Sequence, residues 1–108
     1  MKKFEALETA VTMNVELRPL VETIARKDKD LSVQLRRAGV SVVSNLGEGN
    51  ERIAGDRLNQ WRIAKGSARE MRLQLTIAVA WGYIDAEKAQ PVDALADRVC
   101  AMLHRLTT

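Results

Sequence analysis

Apolar residues recur three and four positions apart along most of the chain, and this spacing predicts four α-helices joined by short connections. The first helix is expected from residue 4 or 7 to residue 26. Pro19 lies inside it, and an interior proline removes a backbone hydrogen bond and costs about 3 kcal/mol. We therefore expect a kink or a break near residues 15–17. The apolar face of this helix consists of Met13, Leu17, Leu20, Val21 and Ile24.

Residues suited to helix ends mark the limits of the next two helices. Either Asp28 or Asp30 can cap the second helix, because a carboxylate accepts hydrogen bonds from the free N–H groups of the first turn. Gly49 is expected to end that helix in a left-handed conformation. After a polar loop over residues 50–55, Asp56 is expected to cap a third helix that reaches residue 81 and ends at Gly82. The apolar face of the second helix consists of Leu31, Leu35, Ala38, Val42 and Leu46.

Asp85 can cap the fourth helix, with Glu87 in its first turn, where a negative charge is favourable. Pro91 either kinks this helix or is its true first-turn residue, with a separate short turn before it. Four helices with short connections predict an all-α, antiparallel, up-down-up-down four-helix bundle that forms one domain over residues 1–108. The apolar face of the fourth helix consists of Val92, Leu95, Val99, either Met102 or Leu103, and Leu106.

The third helix carries two apolar stripes, although a helix of a four-helix bundle needs only one. The first stripe is expected to face the core and consists of Trp61, Ala64, Ala68, Met71, Leu75 and Ala78. The second consists of Ile63, Gly66, Leu73, Ile77 and Ala80, and is interrupted by Glu70. The second stripe is either part of a wide core face or an interface with another subunit. A glycine in mid-helix favours the interface, because it allows close approach at a cost in helix stability.

Arg62, Lys65, Arg69 and Arg72 lie between the two stripes. Residues 55–84 carry five basic and two acidic groups, an excess of +3 that equals the net charge of the whole chain. Such a stripe can bind the phosphates of RNA or DNA, with an affinity that falls as salt rises. The alternatives are a solvated helix face, whose arginine stems cover apolar neighbours, or ion pairs with Glu48 and Glu70 between subunits.

The composition excludes several kinds of chemistry. One cysteine cannot form an internal disulfide, and one histidine with one cysteine cannot build a zinc site. His104 has Ala101 three residues before it, so the Glu-x-x-His pattern of di-iron bundles is absent. Cys100 is expected to be a small core residue, and His104 a helix-end residue. We therefore expect a non-enzymatic protein with no cofactor and no metal.

Neither a membrane span nor a signal peptide is expected, because the chain has no run of about 20 apolar residues and no apolar segment behind its basic N-terminus. A cytoplasmic protein follows from this interpretation. Four charged residues are candidates for burial, either as a general acid–base pair or as a structural network that fixes helix register or subunit contact. The structural interpretation is preferred, because no nucleophile or metal ligand accompanies them. These residues are Arg36, Arg37, Glu48 and Glu70.

Two segments resemble the signatures of a bacterial four-helix-bundle family, the proteins encoded in intervening sequences of large-subunit ribosomal RNA genes. The first segment resembles Q-x-R-R-A-x-x-S-x-x-x-N-x-x-E-G and spans residues 34–49. The second resembles R-x-A-x-G-S-x-x-E and spans residues 62–70, and residues 80–84 resemble the apolar ending that follows it. The chain departs from the family pattern at Gly47, where alanine is usual, and at Pro19.

The resemblance implies a left-handed bundle that assembles as a homopentamer, with Gly66, Ser67 and Glu70 in a packing motif. The family also includes Avd, the accessory protein of diversity-generating retroelements, which binds a reverse transcriptase and nucleic acid. We accordingly expect an oligomeric protein that contacts RNA or DNA through its basic stripe. The alternative is an assembly module that binds a protein such as a reverse transcriptase without contacting nucleic acid.

Overall fold

The computed structural model describes residues 4–108. It contains four helices: α1 (Glu5–Ala25), α2 (Lys29–Glu51), α3 (Ala54–Ala80) and α4 (Ala86–Thr107). Both α1 and α3 pack against α2 and against α4, so α1 and α3 lie diagonally opposite each other in a body of 42 × 23 × 22 Å. This arrangement confirms the predicted all-α four-helix bundle.

Pairs of contacts show that neighbouring helices run antiparallel. Ser41 on α2 is hydrogen-bonded to Ser67 on α3. Trp61, which precedes Ser67 on α3, is hydrogen-bonded to Leu46, which follows Ser41 on α2. At the opposite end of the bundle, the Lys27 ammonium donates a hydrogen bond to the carbonyl of Gly82 over 3.3 Å. The connections are therefore short links between adjacent helix ends.

The predicted core faces of α2 and of the first α3 stripe are buried in full. On α1 only Val21 of the predicted face is half-buried, while on α4 Leu95 is half-buried and Leu106 is exposed. Both residues offered as alternatives, Met102 and Leu103, are buried. Small side chains between the larger ones let the helices approach closely. The buried alanines are Ala6, Ala10, Ala38, Ala64, Ala68, Ala78, Ala89 and Ala96.

Residues close together in sequence determine where α2 begins and where α3 ends. Asp28 caps α2, because its carboxylate accepts a hydrogen bond from the backbone N–H of Leu31 over 3.0 Å. Gly82 ends α3 with a φ of 75°, and the N–H groups of Gly82 and Tyr83 donate back to the carbonyls of Val79 and Ala78. This pair of bonds is a Schellman motif, which requires the left-handed backbone that glycine adopts without strain.

Gly49 does not end α2, so the expectation of a left-handed terminus there is wrong. The helix continues through Gly49 to Glu51, and the indole of Trp61 lies against the glycine. A Cβ added to Gly49 would stand 2.5 Å from two atoms of the indole ring, which is closer than real Cβ atoms come. Glycine is therefore needed here for close approach between α2 and α3.

The connection between α2 and α3 is shorter than the predicted loop over residues 50–55. Only Arg52 and Ile53 separate the two helices. Ile53 occupies the N-cap position of α3, so the first turn of this helix has no side-chain cap. Asp56 lies in the first turn of α3, so its expected role as the cap is wrong, although its charge is favourable there. Ala54 takes a φ of 51°, which turns the chain sharply at the start of α3.

Neither proline interrupts its helix. α1 is continuous across Pro19, so a break near residues 15–17 is wrong, while a kink there stays a prediction. α4 begins at Ala86 without a separate turn before Pro91. Asp85 stands at the start of α4 as expected, but its side chain makes no capping bond. Both prolines lie on exposed faces, where water can bond the carbonyl that each leaves free.

Candidate functional site

The second stripe of α3 lies on the outside of the bundle. Ile63, Leu73 and Ile77 are 45%, 66% and 46% exposed, and Gly66 and Ala80 between them are also exposed. The interpretation of this stripe as part of a wide core face is therefore wrong for the single chain. We call this surface the α3 outer face, defined by Ile63, Gly66, Leu73, Ile77 and Ala80.

Gly66 lies near the middle of the α3 outer face, and nothing in the described chain requires it to be glycine. A Cβ built at this position meets no other atom within 4 Å. A mid-helix glycine destabilises a helix by roughly 1 kcal/mol relative to alanine. This glycine contrasts with Gly49, whose missing side chain is explained by Trp61 of the same chain.

The predicted basic stripe divides into one paired and three unpaired cations. Arg72 donates from Nε to Asp93 over 2.9 Å and from Nη1 to Asp97 over 2.9 Å, which links α3 to α4. The hydrogen bonding of the Arg72 guanidinium to the Asp93 carboxylate is the largest cause that raises the pKa of Arg72. Among residues 4–108, no carboxylate lies within ion-pair distance of the other three. They are Arg62, Lys65 and Arg69.

Asp93 and Asp97 were missed by the sequence analysis. Their spacing of four residues places both on one side of α4, and this spacing was the available signal. The register between α3 and α4, which places Arg72 opposite Asp93 and Asp97, cannot be read from the sequence of either helix alone. Because two carboxylates surround this arginine, it is the least available member of the stripe for an outside anion.

Cys100 lies on the same side of α4 as Asp93 and Asp97. It is half-buried and packs against the core from its edge, so it is not the fully buried core residue that was expected. Burial raises the pKa of its thiol, an effect opposed by the nearby cations Arg72, Arg69 and Lys65. The thiol is therefore protonated near neutral pH, which is unfavourable for nucleophilic chemistry. His104 is exposed near the end of α4, where its positive form suits the helix dipole.

The two segments that resemble family signatures meet in one groove between α2 and α3. Its volume is about 270 Å³. The hydroxyls of Ser41 and Ser67 are 2.7 Å apart, and the Asn45 amide donates to Ser41 Oγ over 3.1 Å. The groove is therefore polar and holds the helices in register. Its lining residues are Gln34, Arg37, Ala38, Ser41, Ser67 and Glu70.

The four charged residues considered for burial are all exposed in the single chain: Arg36, Arg37, Glu48 and Glu70. Within residues 4–108 they form no ion pair with one another, so a polar network inside one chain is not present. Arg36 lines a different groove, between α1 and α2. Glu70 accepts a hydrogen bond from the buried Gln74 amide over 3.2 Å. Pairing of these groups between subunits stays a prediction.

Within residues 4–108 there is no cluster of three or more His, Cys, Asp or Glu side chains arranged to hold a metal ion. In the same part of the chain, no helix has the length and apolar character needed to cross a membrane.

The fold and surface define an all-α four-helix-bundle protein with an apolar outer face on α3 and three unpaired cations beside it. The sequence matches the 23S rRNA-intervening sequence protein family over residues 2–105, and the chain belongs to this family. That description names the genomic origin of the family and no enzymatic activity. No curated protein matches the sequence.

A solved structure supports the same fold. It is the crystal structure of a protein with unknown function from the S23 ribosomal protein family of Bacteroides thetaiotaomicron VPI-5482. The TM-score is 0.88, and the match covers 95% of this chain and 98% of that chain at 20% sequence identity. At this identity the similarity establishes the fold alone.

Proposed function

We propose that this chain is a cytoplasmic, non-enzymatic assembly module that forms a homo-oligomer through the α3 outer face. The main support for this proposal is that Ile63, Leu73 and Ile77 are exposed on one face of α3. Exposed apolar surface on one face of a helix marks interaction sites in folded proteins. Membership of the intervening-sequence family supports the further proposal that the oligomer is a pentamer.

Gly66 supports the same proposal by an independent argument. Its missing side chain has no explanation within the described chain, and it lies between Ile63 and Leu73 on the exposed surface. A neighbouring helix that packs on this face would approach most closely at the glycine. The cost of glycine to helix stability is then offset by contact with another copy.

The polyanion RNA or DNA is a second candidate partner, favoured by one specific observation. Arg62, Lys65 and Arg69 have no carboxylate within ion-pair distance in the described part of the chain, and Arg62 and Arg69 are exposed. Repetition of this cluster around a symmetric oligomer would strengthen the positive field. Arg72 contributes little to this candidate, because Asp93 and Asp97 neutralise it.

Light scattering of three proteins tests assembly. The wild type is expected to have a mass several times 12.0 kDa, whereas Leu73→Asp is expected to be a monomer of 12.0 kDa. Ala94→Asp is the matched control, because it places the same charge at an exposed position on α4, away from α3. If Leu73→Asp keeps the wild-type mass, the α3 outer face is not the interface. Circular dichroism confirms that each variant remains helical.

Fluorescence anisotropy with labelled RNA and DNA at two salt concentrations tests the second candidate. Replacing Arg62, Lys65 and Arg69 by Gln is expected to weaken binding and to flatten its salt dependence. The control replaces Lys88, Arg98 and Arg105 on α4, which removes the same charge. Equal loss in both triple variants, or no binding at low salt, would exclude a specific role for the α3 cations. In that case a protein such as a reverse transcriptase becomes the better candidate partner.

A further inference from the structure

A second exposed apolar surface lies on α1, on the opposite side of the bundle from the α3 outer face. Val11 and Val15 are 46% and 65% exposed and stand one helical turn apart, with Pro19 one turn further on. Because α1 and α3 are diagonal in the bundle, their outward faces point in opposite directions. We call this second surface the α1 outer face, defined by Glu8, Val11, Val15 and Pro19.

The two helices that carry these faces have opposite charge. α1 contains four glutamates and one arginine, a formal charge of −3, whereas α3 contains five basic and two acidic residues, a formal charge of +3. α2 and α4 each carry three basic and three acidic groups, so each has a net charge of zero. The charge asymmetry of the molecule therefore runs along the diagonal that joins α1 to α3.

This asymmetry decides between two ways of pairing copies of the chain. If the α3 outer face packed on the same face of a second copy, two helices that each carry a formal charge of +3 would meet, which is unfavourable at an interface. If it packs on the α1 outer face, the positive and negative surfaces are complementary. On α1, Glu8 lies one turn before Val11 and Thr12, beside the apolar positions.

The α1 outer face also has a shallow depression that suits aliphatic side chains. It lies beside Val11 and Val15 and has a volume of about 600 Å³. Arg18 and Glu22, which line it, are paired with each other over 3.1 Å and remain exposed at its rim. An apolar centre with a charged rim is the usual composition of a protein interface.

We propose that the α1 outer face receives the α3 outer face of a second copy of the chain, so that copies join head to tail. This inference rests on the proposed self-assembly and adds to it the complementary surface and the polarity of the contact. A head-to-tail contact uses two different surfaces on each copy, so every added copy leaves one face of each kind free. In the proposed pentamer, five such contacts close the assembly into a ring.

Mixing two variants, each with one damaged face, tests the proposal. Val15→Asp damages the α1 outer face and Leu73→Asp damages the α3 outer face, and both substitutions fall at positions at least 65% exposed. Each variant alone is expected to be a monomer of 12.0 kDa. An equimolar mixture is expected to form a one-to-one pair of twice that mass, because the intact α3 face of one variant fits the intact α1 face of the other. The remaining two faces both carry Asp, so the pair cannot grow.

The outcomes separate this inference from the proposed function. If Val15→Asp keeps the wild-type mass while Leu73→Asp is a monomer, self-assembly through α3 stands and the α1 face is not its partner. If both variants keep the wild-type mass, self-assembly through α3 is itself wrong. Two helical, monomeric variants that fail to pair on mixing would also contradict the head-to-tail contact. Ala94→Asp, mixed with either variant in the same way, is the control for the added charge.

Discussion

The indole of Trp61 on α3 lies against the backbone of Gly49 on α2. A Cβ at Gly49 would stand 2.5 Å from the indole, whose Nε1 donates to the carbonyl of Leu46 over 3.3 Å. The Arg57 guanidinium lies 5.4 Å from the indole centroid, and its Nε donates to the Gly49 carbonyl over 3.1 Å. This contact fixes the distance between α2 and α3 at one end of the bundle.

Gly49→Ala is expected to lower the free energy of unfolding by about 1–3 kcal/mol, because the added methyl forces apart a closely packed helix and a rigid ring. Gly47→Ala is the matched control, since a Cβ there meets nothing within 4 Å. The control is expected to stabilise the protein by up to about 1 kcal/mol through helix propensity. Urea unfolding of both variants measures the difference. Equal effects in the two would show that Trp61 does not constrain Gly49.

Short-range rules predicted those features that depend on nearby residues alone. Asp28 caps α2 through the N–H three residues on, and Gly82 ends α3 through bonds to the preceding turn. Gly49 fits the same rules as a helix terminator, yet its role is set by Trp61 across the bundle. No feature of the local sequence distinguishes a glycine that ends a helix from one that admits a distant side chain.

The candidate site could be predicted only in part, because periodicity describes one helix at a time. Periodicity separated the two stripes of α3, and the second of them is exposed in the single chain. The same periodicity grouped Arg72 with Arg62, Lys65 and Arg69, because it reports position around one helix and nothing of the neighbouring helix. The pairing of Arg72 depends on the register between α3 and α4, which a single helical wheel does not contain.

The link from Arg72 to Asp93 is expected to give a coupling free energy of about 0.5–1 kcal/mol, since both side chains remain partly exposed. A double-mutant cycle with Arg72→Gln and Asp93→Asn measures it. The reference is the Arg18–Glu22 pair on α1, whose side chains are 82% and 58% exposed, against 37% and 41% here. The better-buried pair is expected to couple more strongly and to lose less of its coupling when salt is added. A coupling no larger than that of the reference pair would contradict the role of Arg72 as a link between helices.

Gly66→Ala is expected to affect folding and assembly in opposite directions. In the Leu73→Asp background, which is expected to be monomeric, the added methyl should raise the free energy of unfolding by up to about 1 kcal/mol. In the wild-type background the same methyl should weaken association, because it occupies the point of closest approach. Urea unfolding and light scattering measure the two effects. Unchanged association would show that Gly66 is not needed for contact between copies.

Cys100 is expected to react slowly with thiol reagents. Burial raises its pKa above the usual value of 9.0, so at pH 8 the folded protein holds a smaller thiolate fraction than an ordinary cysteine does. Because the thiolate is disfavoured in the fold, its formation at higher pH should also destabilise the protein as pH rises past the unfolded pKa. Labelling with a chromogenic disulfide measures the rate, with urea-unfolded protein as the control. Equal rates in the two states would place the thiol in open solvent.

We expect the α3 outer face, with Leu73 66% exposed in the single chain, to be covered by another copy. Sedimentation equilibrium of the wild-type protein over a dilution series tests it most directly. The predicted result is a mass several times 12.0 kDa that falls toward the monomer on dilution or after Leu73→Asp. A mass of 12.0 kDa at every concentration would contradict self-assembly.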